Sequence, residues 1–428
     1  MRQHSVPRLA WSIADELLRG ITTVVLMPEH GDASEVEYAL ELAVEQTDRY
    51  SDVRRLVLSA GEGAAEGGGS VFSPLRFLLQ AFDVTWKDGT GPLTWDNLLA
   101  AAELPEVIVA ADFTGLNEEQ RRQWLQCIAE GSAAAARRRE QHPAFCVVAQ
   151  ASDPVLQGLR TSSNLKIRYW CNLHTLTALA SEYQLSFLGK RLGEVHWKAA
   201  LVTSLAGSDR SLVEPLGEAV VRSKEAVVTC LQNAATERGF TLQTLQGEGV
   251  HLLLSGSSFQ PLDRLNHGHP IVHLWARGFL NYSAEYGWEV PSWVLAALGE
   301  VNLLEHRIWR AQLPIVLPII NQFRLMVIRH LMQFYGVEWL LAAAQEHRRL
   351  VPAGANDPKP LLCPFDAELS DLRYILEGEA SRSHQASQYL SVLRLAHFLR
   401  NQLAHYTAIE PAEYFKLLEG VQALGLAD

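Results

Sequence analysis

Four short, mostly apolar runs in the first 150 residues constrain the fold of this chain more than any other feature. They are Ile21–Met27, Val53–Ser59, Val107–Ala111 and Phe145–Gln150. Stretches with helical spacing stand around them: Leu9–Leu18, 33–48, 74–82 with 95–103, and 118–130. Short apolar strands alternating with helices predict a parallel sheet covered on both faces, because a parallel strand has no wet side on which to place polar residues. The first 180 residues are therefore expected to form an α/β domain.

Beyond residue 180 the pattern turns helical, as in Trp197–Val202 and 214–237. Residues 247–294 show no clear period and are rich in Gly, His, Trp and Tyr, so they read as an irregular connector packed against both neighbours. Residues 295–428 are helical again, broken by the Pro- and Gly-rich stretch Val351–Pro364. The expected division is 1–180 α/β, 181–246 helical and lid-like, 247–294 connector, and 295–428 a helical domain. A length of 428 residues accommodates such a division. No apolar run looks long enough to span a bilayer and the first residues are polar, so a cytoplasmic protein without membrane contact is expected. The cysteines Cys127, Cys146, Cys171, Cys230 and Cys363 are scattered without a Cys-x-x-Cys pair, which predicts buried free thiols. A net charge of −11 argues against broad nucleic-acid affinity, which depends on neutralising phosphates, but leaves room for a small local site.

The first strand runs into Met27-Pro28-Glu29-His30-Gly31-Asp32-Ala33-Ser34-Glu35. A phosphate-binding loop at this place needs glycines, a lysine and a hydroxyl. Here there is no lysine, and three carboxylates crowd the helix start. Asp32 and Glu35 have capping-box spacing and would satisfy the free amides themselves. Further on, Val107-Ile108-Val109-Ala110-Ala111-Asp112 is similar to a Walker B strand, but Phe113 replaces the glutamate that would activate water. Asn117 then caps a helix with Gln120 at the reciprocal position. This order resembles an AAA+ or STAND-type NTPase core with its chemistry removed. The resemblance implies a degenerate P-loop-NTPase-like sheet, no nucleotide hydrolysis and no cofactor.

Near the C-terminus a leucine-rich helix reads His397-Phe398-Leu399-Arg400-Asn401-Gln402-Leu403-Ala404-His405. An arginine can neutralise a phosphate with a planar fork of donors, and a histidine can move a proton near neutral pH. Together they could cut RNA at the ribose 2′-hydroxyl without a metal. The segment resembles the Arg-Asn-x-x-x-His motif of HEPN domains, helical modules common in prokaryotic conflict systems. The resemblance implies that His405 takes or gives the proton, Arg400 steadies the phosphorane charge, and Asn401 orients one of them, often in a groove across a dimer. On an ideal helix, however, positions five apart point roughly 140° away from each other, so the last turn must loosen near Tyr406 for both to share a face. The alternative is helix-end architecture, with His405 on the free carbonyls and Arg400 paired to Glu410 or Glu413. A polar stripe of Glu305, Trp309, Gln312 and Asn321 on the preceding helix points into the same groove or forms an interface.

His251, His267, His269 and His273 invite a metal reading, yet no cysteine or paired carboxylate accompanies them, and packing is expected instead. Trp275, Trp288, Trp293 and Trp309 are expected to serve domain docking. Two functional expectations stand side by side. One is a non-hydrolysing, NTPase-like scaffold or regulator of an anti-phage system, with proteins of the same system as partners. The other is a metal-independent ribonuclease using Arg400, Asn401 and His405, with RNA as substrate and a second copy of the chain joined through the helical domain.

Overall fold

The computed structural model describes residues 8–29, 33–46, 53–57, 73–86, 91–101, 104–105, 107–111, 116–138, 143–156, 159, 161–171, 176–187, 191–207, 209–250, 269–283, 287–350, 361–381 and 383–425. Asp112 and Phe113, the turn His30–Asp32, and His251 and His267 lie outside the described residues, as does most of 351–364. In chain order the first stretch holds α1 (Arg8–Leu18), β1 (Thr22–Met27), α2 (Ala33–Glu45), β2 (Val53–Val57), α3 (Pro74–Ala81), α4 (Trp95–Ala101), β3 (Val107–Ala111), α5 (Glu118–Arg138), β4 (Ala144–Gln150) and β5 (Leu165–Tyr169). Then come α6 (Leu176–Ser186), α7 (Leu192–Ala206), α8 (Val213–Ala219), α9 (Lys224–Glu237) and α10 (Leu242–Gly247). They are followed by α11 (Pro270–Ala276), β6 (Asn281–Ser283) and β7 (Gly287–Glu289). The last stretch holds α12 (Ser292–Leu298), α13 (Val301–Tyr335), α14 (Val337–Leu350), α15 (Leu369–Glu379), α16 (His384–Ala404) and α17 (Pro411–Ala423).

These elements form two compact units, Met1–Thr175 with Glu248–Val290, and Leu176–Gly247 with Pro291–Asp428. The segment expected as a connector thus folds with the α/β domain, and the segment expected as a lid folds with the C-terminal helices. Its described residues carry α11, whose Ile271, Val272, Leu274 and Trp275 are buried, and the antiparallel pair β6–β7. A seven-residue helix and three-residue strands are too short for a period to register in sequence.

In the first unit five parallel strands lie in the order β2-β3-β4-β1-β5. Val25 and Met27 of β1, Val107 and Val109 of β3, and Ala144, Cys146 and Val148 of β4 share one core with Ile13 and Leu17 of α1 and Val36 and Leu40 of α2. The alternate β4 residue Phe145 meets the Trp95 ring of α4 edge-on at 5.7 Å. Helices on both faces explain why β4 is apolar and buried from Ala144 to Ala149. Trp95 also donates to the Cys127 carbonyl of α5 at 2.6 Å, and a Cβ on Gly131 would come within 2.6 Å of its ring. Gly131 is therefore a packing glycine inside α5, and the helix runs on to Arg138 where the sequence suggests a stop near 130. Burial pushes the Cys127 and Cys146 thiols up to about 12, so both are inert, whereas Cys171, Cys230 and Cys363 are free but only half-buried, contrary to the expectation for all five.

The edge strand β5 escapes the sequence reading because its Lys166 and Arg168 interrupt the apolar pattern. Both reach Glu16 of α1, Lys166 at 2.9 Å and Arg168 through Nε at 3.1 Å. Charged residues on an edge also discourage further strands from adding.

The second unit is helical. Its longest element, α13, buries Leu304, Ile308, Ala311, Val316, Ile320, Phe323, Val327 and Leu331 along one face, while Asn321, Gln322 and Arg329 are exposed on the other. By length and composition α13 is apolar enough to cross a membrane, which corrects the expectation that no run is. Its one-sided burial is that of a helix packed in a bundle.

Candidate functional site

Two places in the molecule gather polar groups at the end of an element. The first lies in the sheet. From β1 the chain crosses through α2 to β2 at the far edge, whereas from β4 it crosses β1 to reach β5. Connections leaving neighbouring strands in opposite directions open a crevice at their carboxyl ends, the usual ligand site of an α/β sheet. Here the crevice is closed by the chain itself. The Glu29 N–H, which follows β1, donates to the Ala276 carbonyl at the end of α11 at 2.7 Å. Gln150 Nε2 at the end of β4 donates to the Glu29 carbonyl at 3.4 Å, and Ala151 N–H to Met27 at 2.8 Å. The Arg277 guanidinium reaches Glu29 at 3.5 Å and Glu248 at 3.7 Å. Trp275, 2% exposed, sets its ring edge-on to Tyr169 of β5 at 5.4 Å. The backbone donor and the charge that a phosphate would need are already taken.

The second place is the end of α16. The helix stays regular through Ala404, and His405 N–H still bonds the Asn401 carbonyl at 3.0 Å. Arg400 and His405 therefore remain roughly 140° apart around the axis. The loosening begins one residue too late to unite them. Tyr406 adopts φ 60°, its N–H bonding Leu403 at 3.3 Å while Thr407 N–H bonds Gln402 at 3.0 Å. This double bond pattern ends helices that have glycine in the left-handed position. A tyrosine there costs about 1–2 kcal/mol.

Two residues of α13 hold this turn. Trp309 Nε1 donates to the Leu403 carbonyl at 2.7 Å. Gln312, fully buried, donates to the Ile409 carbonyl at 2.9 Å and accepts from the Ile409 N–H at 2.9 Å. Of the other members of the polar stripe, Glu305 pairs at 3.6 Å with Lys224, which also donates to the Ala408 carbonyl at 3.2 Å, and Asn321 accepts from Arg324 at 3.2 Å. Of the stripe, Trp309 bonds the motif segment itself at Leu403, and Gln312 the turn that follows it at Ile409.

Arg400 and His405 are exposed, and Asn401 is half-buried. Arg400 donates to Asn401 Oδ1 at 3.1 Å and comes within 4.0 Å of Glu368. Glu410 pairs instead with Lys224 at 3.1 Å and forms the capping box of α17 with Glu413, so the expected partners of Arg400 are engaged otherwise. Among the described residues no hydrogen bond or ion pair reaches the His405 imidazole. The helix carbonyls are met by its backbone N–H.

The imidazole that does share a face with Arg400 is His397, three residues earlier. Burial first, then the Arg373 and Arg400 guanidinium groups, push it below its ordinary 6.5, against the pull of Glu368. Arg373 and Arg394 share the carboxylate of Glu377 at 2.9 and 3.1 Å. Arg373, Arg394 and Arg400 thus gather near His397 on the α15–α16 surface, each with a carboxylate beside it. The spacing of His397 to Arg400 was visible in sequence; the contribution of α15 was not.

The histidines weighed as metal ligands separate. His269 Nδ1 accepts from Ile271 N–H at 3.2 Å and caps α11, and His273 is exposed with Glu248 at 3.6 Å. Among the described residues no group of three His, Cys, Asp or Glu is placed to hold an ion. Of the tryptophans, Trp288 lies against Tyr282 across the hairpin at 5.3 Å, and Trp293 is stacked on Phe240 at 5.5 Å with Arg238 over its ring. No protein-family model and no curated protein matches this chain.

Proposed function

We propose that this protein is a non-hydrolysing, NTPase-like scaffold or regulatory subunit of a bacterial anti-phage system, acting through protein–protein contacts. The parallel order β2-β3-β4-β1-β5, with one strand separating β1 from β3, supports the likeness to an AAA+ or STAND-type core. The observation that carries the reading is the closed crevice, where Ala276 accepts from the Glu29 N–H and Arg277 neutralises the Glu29 carboxylate. Titration with magnesium and ATP, alongside co-purification with proteins encoded beside it, tests the reading. No heat of ATP binding and a stoichiometric complex with one neighbour are expected; saturable ATP turnover would sink it.

A second reading has its own support. Arg400 and His405 are both exposed, as a metal-independent HEPN-type ribonuclease requires, and the imidazole of His405 is not spent on the helix end. Because they lie on different faces, a second copy would have to complete the groove. RNA cleavage in EDTA, with Arg400→Ala and His405→Ala as folded controls, tests this. Products ending in 2′,3′-cyclic phosphate, lost in both variants, are its expected signature.

A further inference from the structure

A single residue, Gly336, joins α13 to α14, and its φ of 87° turns the chain sharply enough for the second helix to start at Val337. The residues of this corner, 333–338, are all exposed, and its apolar side chains stand out with them: Phe334 is 63% exposed, Val337 46% and Tyr335 38%. The rings are nevertheless held in place. Tyr335 stacks on Trp339 at 4.3 Å and donates its hydroxyl to Glu379 Oε2 at 3.0 Å. Phe334 lies against His330 at 4.5 Å, and His330 in turn against the buried Tyr389 at 4.5 Å. A contiguous apolar surface of fixed rings offers contact area at low entropic cost and marks an interaction site.

The sign of the charge around the corner decides among occupants. From 330 to 346 the sequence carries Glu338 and Glu346, both exposed, and no lysine or arginine, while Glu379 reaches the corner from α15. The preceding cation, Arg329, lies about 140° around α13 from Phe334, and Arg373 and Arg394 share Glu377. Nucleic acid or an anionic membrane would meet carboxylates where it needs cations. A second copy would set this acidic rim against another, in a chain already at −11, with no cation in the segment to answer it. Arginine and lysine suit both parts of the surface, because ring faces attract a cation and carboxylates pair with it.

We propose that the α13–α14 corner docks a basic amphipathic segment of a partner protein, with an apolar side chain set on Phe334, Tyr335, Val337 and Trp339 and its flanking arginine or lysine on Glu338 and Glu379. The proposal rests on the scaffold reading and names the surface and the kind of partner that reading needs. Its test is the affinity of the full chain, at low salt, for three fluorescent helical peptides. They share one leucine stripe and differ only in the flanking residues, which are arginine, glutamine or glutamate. The arginine peptide is expected to bind roughly tenfold or more tightly than the glutamate peptide, with glutamine between them. Phe334→Ser removes an exposed ring, so its Tm stays within about 2 °C of the parent. Its affinity for the arginine peptide falls by roughly five- to thirtyfold. Glu338→Lys, also at an exposed site, keeps the glutamine peptide and weakens the preference for arginine. Equal affinity for the three peptides, no binding of any, or a Phe334→Ser variant that binds like the parent overturns the docking surface. Self-association of the parent that Phe334→Ser abolishes assigns the corner to a second copy and overturns it too. Saturable ATP turnover beside arginine-selective, Phe334-dependent binding leaves the surface standing and removes the scaffold reading.

Discussion

The crevice at the carboxyl ends of β1 and β4 is closed by its own chain, whereas the end of α16 is left open. In the crevice Glu29 is met on all sides within the unit: its N–H by Ala276, its carbonyl by Gln150 and its carboxylate by Arg277. At α16 the backbone is just as well satisfied, but side chains are spare. His405 is exposed, Arg400 holds only Asn401 and a distant Glu368, and Tyr406 accepts strain in order to stay outside. A region that satisfies itself contributes stability, and a region that keeps unspent donors and rings can act on something else.

The largest effect that could break this contrast is Trp275→Ala. If α11 is a structural closure, removing the buried ring costs about 3–5 kcal/mol and gives no nucleotide affinity. Denaturant unfolding and titration with a fluorescent ATP analogue measure the two. A variant that stays stable and binds ATP would turn the closure into a gate. Next in size is Gln312→Leu. It leaves the Ile409 N–H and carbonyl buried without partners, a loss of about 2–4 kcal/mol in the helical unit. Thermal unfolding reports it, and an unchanged Tm would mean that the turn after α16 is held by something else.

A smaller effect separates the two units by pH. Burial pushes His330 below 6.5, and burial with Arg373 and Arg400 does the same to His397. The folded helical unit then binds fewer protons than its unfolded chain, so this part of its stability is complete above about pH 6.5 and shrinks as the pH falls below it. In the α/β unit burial raises the Glu16 carboxyl, but the bonds from Arg168 and Lys166 outweigh it and hold the carboxyl below 4.5. Its contribution is lost only as the pH falls through that lower range. Between pH 6.5 and 5, hydrogen exchange corrected for intrinsic rate should therefore quicken in α13 and α16 before it does in β1 and β4. His330→Phe with His397→Gln should flatten the difference, and an equal response of both units would contradict it. The smallest effect expected on stability is that of Arg400→Ala, within about 0.5 kcal/mol because the side chain is exposed. A larger loss in the unfolding curve would make Arg400 part of the architecture and close the contrast from the other side.

The core strands were legible because burial on both faces makes β1, β3 and β4 mostly apolar, and the absent lysine after β1 could be read directly. The exposed polar end of α16 was legible too, since leucine spacing fixes which face is left over. What charge compensation and short elements conceal was not: β5 is polar in sequence until Glu16 is brought to it, and α11 has no period to detect. Nor could the chain announce that Glu29 meets Arg277, or that Gln312 meets Ile409, because both pairs are set by how distant segments close on each other. Local pattern determined the elements, the missing phosphate chemistry and the motif on α16. Tertiary packing alone decided that the crevice is filled and that the turn at Tyr406 is held by Trp309 and Gln312, because each depends on a partner supplied by another element.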